Sequence, residues 1–170
     1  GKLIDDGRYK LDMHLRQSAG HVLTLPFEPV VAFAGRDESF TANLEQCNGC
    51  GGCRKATPTM CPTFAATGEE FMSTRGRANA IRAALELRGI KGDPLRSEEL
   101  EEALSNCLSC KACTNECPSN VNLALLKAEL QWARIRRHGL SISQRLFSSV
   151  EALGKLGSRF PRLTNAAMNS

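Results

Sequence analysis

The sequence predicts a mainly α-helical domain built around two cysteine-rich loops and preceded by an irregular arm, on three observations. Apolar residues recur at helical spacing over residues 73–88, 97–106, 120–138 and 141–160. All eight cysteines fall into two copies of one pattern. Residues 1–40 lack sustained periodicity and hold Gly, Pro and short extended runs such as His21 to Leu25, so they read as a connecting arm.

In the first helical stretch, Ser73 or Thr74 is positioned to cap, Ala78, Ile81 and Leu85 share a face, and Gly89 is placed to end the helix. The second begins at Ser97 with Glu98 and Glu99 in its first turn, where the helix dipole favours anions, and sets Leu100, Ala103 and Leu104 on one side. The third shows two apolar stripes, Leu123/Leu126/Leu130/Ala133 and Leu125/Ala128/Trp132/Ile135, a pattern that predicts a helix clamped between neighbours. Arg134, Arg136, Arg137 and His138 crowd its last turn and suit the negative helix terminus. Beyond Gly139, Ile142, Leu146, Val150 and Leu153 form an apolar side, with Arg145, Lys155 and Arg159 elsewhere. That tail is expected to dock on a partner, a membrane surface or the domain's own core.

The chain has 170 residues, 42% hydrophobic and 24% charged, an ordinary globular balance. No window holds the roughly 20 apolar residues that cross a bilayer. The chain opens on Gly1 with no export signal, so it is expected to be a piece of a longer polypeptide in the cytoplasm, free or peripheral at the inner face of the membrane. The formal charge is +4, and an anionic group bound by the clustered cysteines would bring it toward zero. A nucleic-acid partner therefore loses its main support.

The cysteine pattern reads Cys47-Asn-Gly-Cys50-Gly-Gly-Cys53 with Cys61-Pro62, then Cys107-Leu-Ser-Cys110-Lys-Ala-Cys113 with Cys117-Pro118. A cubane cluster presents its irons at the corners of a tetrahedron, so three ligands from a tight loop embrace one face while a distant fourth closes the far corner. In two-cluster proteins the fourth cysteine of each run serves the other cluster. The expected sets are Cys47, Cys50, Cys53 and Cys117 for one [4Fe-4S] cluster, and Cys107, Cys110, Cys113 and Cys61 for the other. Disulfides are disfavoured because a chain this long needs no staples and its cysteines are clustered. Zinc normally takes two cysteines per knuckle and would leave the third of each triplet unused.

Arg75 and Arg77 follow Cys61 at the mouth of the first helix, where a cation raises a cluster's potential; solvation or pairing with Glu69 and Glu70 is the alternative. Lys55 and Lys111 carry the same two readings. His14 and His21 have no neighbouring ligand-spaced Cys or His and receive no role.

The ordered motifs CNGCGGCRK, MCPT, STRGRANAIR and CLSCKACTNECPSNVNLALLKAE resemble the iron–sulfur part of FAD-linked D-2-hydroxy-acid dehydrogenases. More distantly, the pattern is similar to the iron–sulfur subunits of glycolate oxidase, anaerobic glycerol-3-phosphate dehydrogenase and succinate dehydrogenase. The resemblance implies an α-helical ferredoxin domain over residues 41–140. It makes residues 1–40 an arm from a flavin domain that carries FAD, and residues 141–170 a helical tail leading to a further domain. The implied activity is that of the electron-transfer part of an oxidoreductase, with no substrate-converting site of its own. Electrons from oxidation of a D-2-hydroxy acid such as D-lactate or D-2-hydroxyglutarate would leave FAD and pass through the clusters to a quinone, a cytochrome or another iron–sulfur domain. Members of the family often lack the middle cysteine of the first triplet, whereas Cys50 is present here. A free-standing iron–sulfur subunit serving a separate flavoprotein is the alternative.

Overall fold

The computed structural model describes residues 21–31, 33, 37–55 and 60–169. His14 and the first half of the expected arm lie outside them. Among the described residues the regular elements are helices and short 3₁₀ turns, without a strand. The helices are α1 (Phe40–Glu45), α2 (Pro62–Thr67), α3 (Thr74–Lys91), α4 (Glu98–Ser105), α5 (Ala112–Glu116), α6 (Leu123–His138), α7 (Ile142–Ser148), α8 (Val150–Arg159) and α9 (Pro161–Met168).

The core forms where α3 meets α4, α6 and the turn before α4, with α1 closing over α6. Ala78, Ile81 and Leu85 of α3, Leu100 and Leu104 of α4, and Leu123, Leu126, Leu130 and Ala133 of α6 interdigitate there. The Ser73 hydroxyl accepts from the Gly76 amide at 3.0 Å and so closes the open end of α3. Ser97 caps α4 by accepting from Leu100 at 3.2 Å. Gly89 does not end α3: the helix runs through it to Lys91, a lone glycine weakening a helix by only about 1 kcal/mol.

α6 starts at Leu123, after an Asn122 cap, three residues later than the periodicity suggested. Its first apolar stripe is buried, but in the second Ala128 is exposed and Trp132 is 44% exposed. The helix is therefore packed on one side, not clamped between neighbours. Its polar faces are the part sequence patterning missed. Glu129 is fully buried and one of its carboxylate oxygens accepts from the backbone amides of Val30 and Val31. That contact, with Leu23 in the core and Phe27 and Phe33 edge-on to Phe40, fastens the second half of the arm to the domain. His21 lies 3.3 Å from Glu86 on α3. At the far end of α6, Arg134 pairs with Glu101, and Arg137 and His138 with Asp93, which ties the helix to α4 and to the turn before it.

The expected tail helix is broken at Ser149 into α7 and α8. Ile142, Leu146, Val150 and Leu153 stay exposed and do not pack on the core. No helix of the described residues is long and apolar enough to cross a membrane.

Candidate metal centre

α1 ends at Glu45 and hands the chain to Cys47; Arg82 of α3, buried, holds that end by donating to the Leu44 carbonyl at 2.9 Å. The loop that follows turns through left-handed backbone at Gly49 (φ 78°) and Gly51 (φ 73°), conformations a side chain resists. A 3₁₀ turn over Gly52–Arg54 then buries Cys53. The second loop repeats the path. Ser109 (φ 53°) and Lys111 (φ 64°) occupy the positions of Gly49 and Gly51, and α5 carries Cys113 as the 3₁₀ turn carries Cys53.

Each loop meets the far end of the other. A narrow cavity is lined by Cys47, Cys50 and Cys53 together with Cys117, Thr74 and Arg75. A second is lined by Cys107, Cys110 and Cys113 together with Cys61, Thr74 and Arg77. A Cβ on Gly52 would stand 3.4 Å from the Pro118 ring, so the proline after Cys117 sits against the first loop. Buried Asn43 secures the same crossing: its amide donates to Asp37 and to the Asn120 carbonyl, and its oxygen accepts from the Asn122 amide at 2.9 Å. Nothing in the motif spacing marked Asn43.

Arg75 and Arg77 are adjacent but for Gly76, and they go to different cavities. Arg75 donates to the Gly49 carbonyl at 3.0 Å and pairs with Glu70 at 2.5 Å; Glu70 also pairs with Arg54. The Glu70 carboxylate holds the Arg75 guanidinium above its ordinary pKa. The backbone amide of Arg75 points at the Cys53 sulfur at 3.4 Å. For its side chain, pairing with Glu70 therefore describes most of what Arg75 does.

Arg77 behaves otherwise. At 1% exposure it donates to the Cys61 sulfur at 3.1 Å, to the Thr63 hydroxyl at 2.8 Å, and to the carbonyls of Ala103 and Asn106. Neither Glu69 nor Glu70 is its partner. Burial pushes the Cys61 thiol up, but the Thr63 hydroxyl, the Phe64 amide and Arg77 together bring it below the usual thiol value. Cys113 has no such cation: burial dominates and raises it, with the neighbouring Cys107 and Cys110 adding to the rise. Lys127 of α6, also buried, donates its ammonium to the Cys107 carbonyl. Helix periodicity gave no reason to expect a lysine in that position. Lys55 and Lys111 are exposed.

None of the eight cysteines is in a disulfide. Among the described residues no three His, Cys, Asp or Glu side chains converge on a single point. Each set of four lines a cavity.

A helical scaffold that turns two cysteine triplets and two distant cysteines toward a pair of neighbouring cavities is that of an iron–sulfur electron-transfer domain. Residues 43–121 match the family described as the 4Fe-4S dicluster domain. The chain is 30% identical over 156 residues to a D-2-hydroxyglutarate dehydrogenase of Pseudomonas putida, an alignment covering 73% of this chain and 16% of that protein. A D-2-hydroxyglutarate dehydrogenase of Pantoea ananatis is 26% identical over 205 residues, 91% of this chain and 20% of its own length. The glycolate oxidase iron–sulfur subunit of Escherichia coli is 36% identical over 78 residues, 46% of this chain and 17% of its own. The chain thus matches the iron–sulfur domain of the FAD-linked D-2-hydroxy-acid dehydrogenases its motifs resemble, and spans about a fifth or less of these relatives. No solved structure matches it.

Proposed function

We propose that the domain holds two [4Fe-4S] clusters, one on Cys47, Cys50, Cys53 and Cys117 and one on Cys107, Cys110, Cys113 and Cys61. They carry electrons singly from a reduced flavin toward a downstream acceptor. The observation that carries this reading is the exchange of fourth cysteines: each cavity is lined by one run's triplet and the other run's final cysteine. When bound, such clusters supply reversible one-electron chemistry, which suits splitting a two-electron flavin reduction.

The chain's own residues prepare the two sites. Left-handed turns at Gly49, Gly51, Ser109 and Lys111 wrap the triplets. Backbone and side-chain N–H groups of Arg75 and Arg77 point at the sulfurs of Cys53 and Cys61, contacts that stabilise thiolates and tune potential. Arg77 and Lys127 are buried cations without an acidic partner among the described residues. Burying an unpaired charge costs several kcal/mol, and an anionic centre in the adjacent cavity would offset it.

In this reading the electrons originate in FAD-linked oxidation of a D-2-hydroxy acid, D-lactate or D-2-hydroxyglutarate being the candidates, in a flavin domain preceding the arm. The acceptor is a quinone, a cytochrome or another iron–sulfur domain, and the exposed apolar side of α7 and α8 leads into the remainder of the polypeptide. Support comes from the D-2-hydroxyglutarate dehydrogenases that match along most of the chain. The 36% identity to glycolate oxidase iron–sulfur subunits favours a second reading, a separate subunit docked on a flavoprotein.

The test is to purify the full-length protein anaerobically, count iron and acid-labile sulfide, and add D-2-hydroxy acids while following flavin and cluster absorbance. About eight irons and eight sulfides per chain are expected, with bleaching of both chromophores by one hydroxy acid. Stoichiometric zinc without sulfide would refute the clusters. Clusters that no hydroxy acid reduces would refute the substrate alone.

A further inference from the structure

The two cavities differ in the charge built around them. The first has Arg75, whose guanidinium is shared with the Glu70 carboxylate, itself 44% exposed, so that its field is neutralised nearby and screened by water. Among the described residues neither cavity is lined by an acidic one, but at the second no carboxylate pairs with the cations beside it. Two buried cations stand at its cysteines, Arg77 from α3 at the Cys61 sulfur and Lys127 from α6 at the Cys107 carbonyl. Unscreened positive charge in a low-dielectric interior stabilises an added electron far more than the same charge at a surface.

We propose that Arg77 and Lys127 hold the cluster of the Cys61/Cys107/Cys110/Cys113 site at a more positive potential than its neighbour, making that site the downstream end of the pair. Lys127 is a potential-setting residue that acts across the peptide of Cys107 without touching the cluster. The inference rests on the two-cluster reading above. It adds a direction: a single electron entering at the Cys47/Cys50/Cys53/Cys117 site comes to rest at the other.

The experiment is a redox titration of the full-length, cluster-loaded protein followed by EPR, with each signal identified by whether Cys50→Ser or Cys110→Ser alters it. In the unsubstituted protein the more positive midpoint should belong to the signal altered by Cys110→Ser. In Lys127→Gln that midpoint should move negative by at least about 59 mV, a tenfold change in one-electron distribution, while the other stays in place. Lys127→Arg, which keeps the charge, should restore it. Two clusters whose more positive midpoint follows Cys50→Ser would overturn the inference and leave the two-cluster reading intact. An equal shift of both midpoints in Lys127→Gln, or no shift in either, would overturn it in the same way. Fewer than two clusters would overturn the reading and the inference with it. The ordering in the unsubstituted protein decides the matter even where Lys127→Gln does not fold.

Discussion

The first cysteine loop and the second follow the same backbone path with different residues. Where the first has Gly49 and Gly51, the second has Ser109 and Lys111, all four with positive φ. A left-handed conformation costs a residue with a side chain roughly 1–2 kcal/mol and glycine very little. The second loop keeps the path against local preference, as two loops serving one kind of site would. Strain retained in this way marks a functional constraint. The charge around the loops differs as well, solvent-facing and paired at the first, buried and unpaired at the second.

The residue on which this contrast turns is Gly76, which separates the arginine of one site from that of the other. A Cβ there would lie 2.1 Å from the Glu70 carbonyl oxygen and 2.8 Å from the Phe71 Cα. Gly76→Ala forces α3 away from the preceding turn, and the expected cost is about 3 kcal/mol or more. In guanidinium unfolding followed by cluster absorbance, both sites should be lost at lower denaturant than in the parent. Loss confined to one site would show that the two arginines are not positioned through Gly76.

A smaller effect probes the backbone comparison directly. Gly51→Ala places a side chain at φ 73° with no hard clash, its Cβ 3.6 Å from an Arg75 nitrogen, so strain alone should lower stability by about 1 kcal/mol. Lys111→Gly relieves the matching strain but adds unfolded-state freedom, and should raise stability by only about 0.5 kcal/mol. Opposite signs in the same unfolding assay are expected. A loss in both would mean that the Lys111 side chain has a role beyond its backbone.

Much of the site was legible because metal-ligand spacing is a short-range signal. The triplets and the caps at Ser73 and Ser97 act within a few residues of themselves, and the helical stripes around Ile81, Leu104 and Leu126 are periodic. What escaped depends on long-range packing. Asn43 joins α1 to residues 120 and 122, and Glu129 receives amides from Val30 and Val31. Lys127 looks like a solvated lysine until α6 is docked against the second loop. The same limit explains Arg77, whose neighbour Arg75 takes the alternative of pairing with Glu70 while Arg77 turns inward to Cys61. At Gly89 the helix simply continues to Lys91, since one glycine weakens a helix by only about 1 kcal/mol.

Exchange of the fourth cysteines between the two runs is tested most directly by serine substitution followed by EPR of the reduced protein. Cys61→Ser should alter the same signal as Cys110→Ser, and Cys117→Ser the same signal as Cys50→Ser. If Cys61→Ser instead altered the signal that Cys50→Ser alters, each run would hold its own cluster, and the crossed arrangement would be wrong.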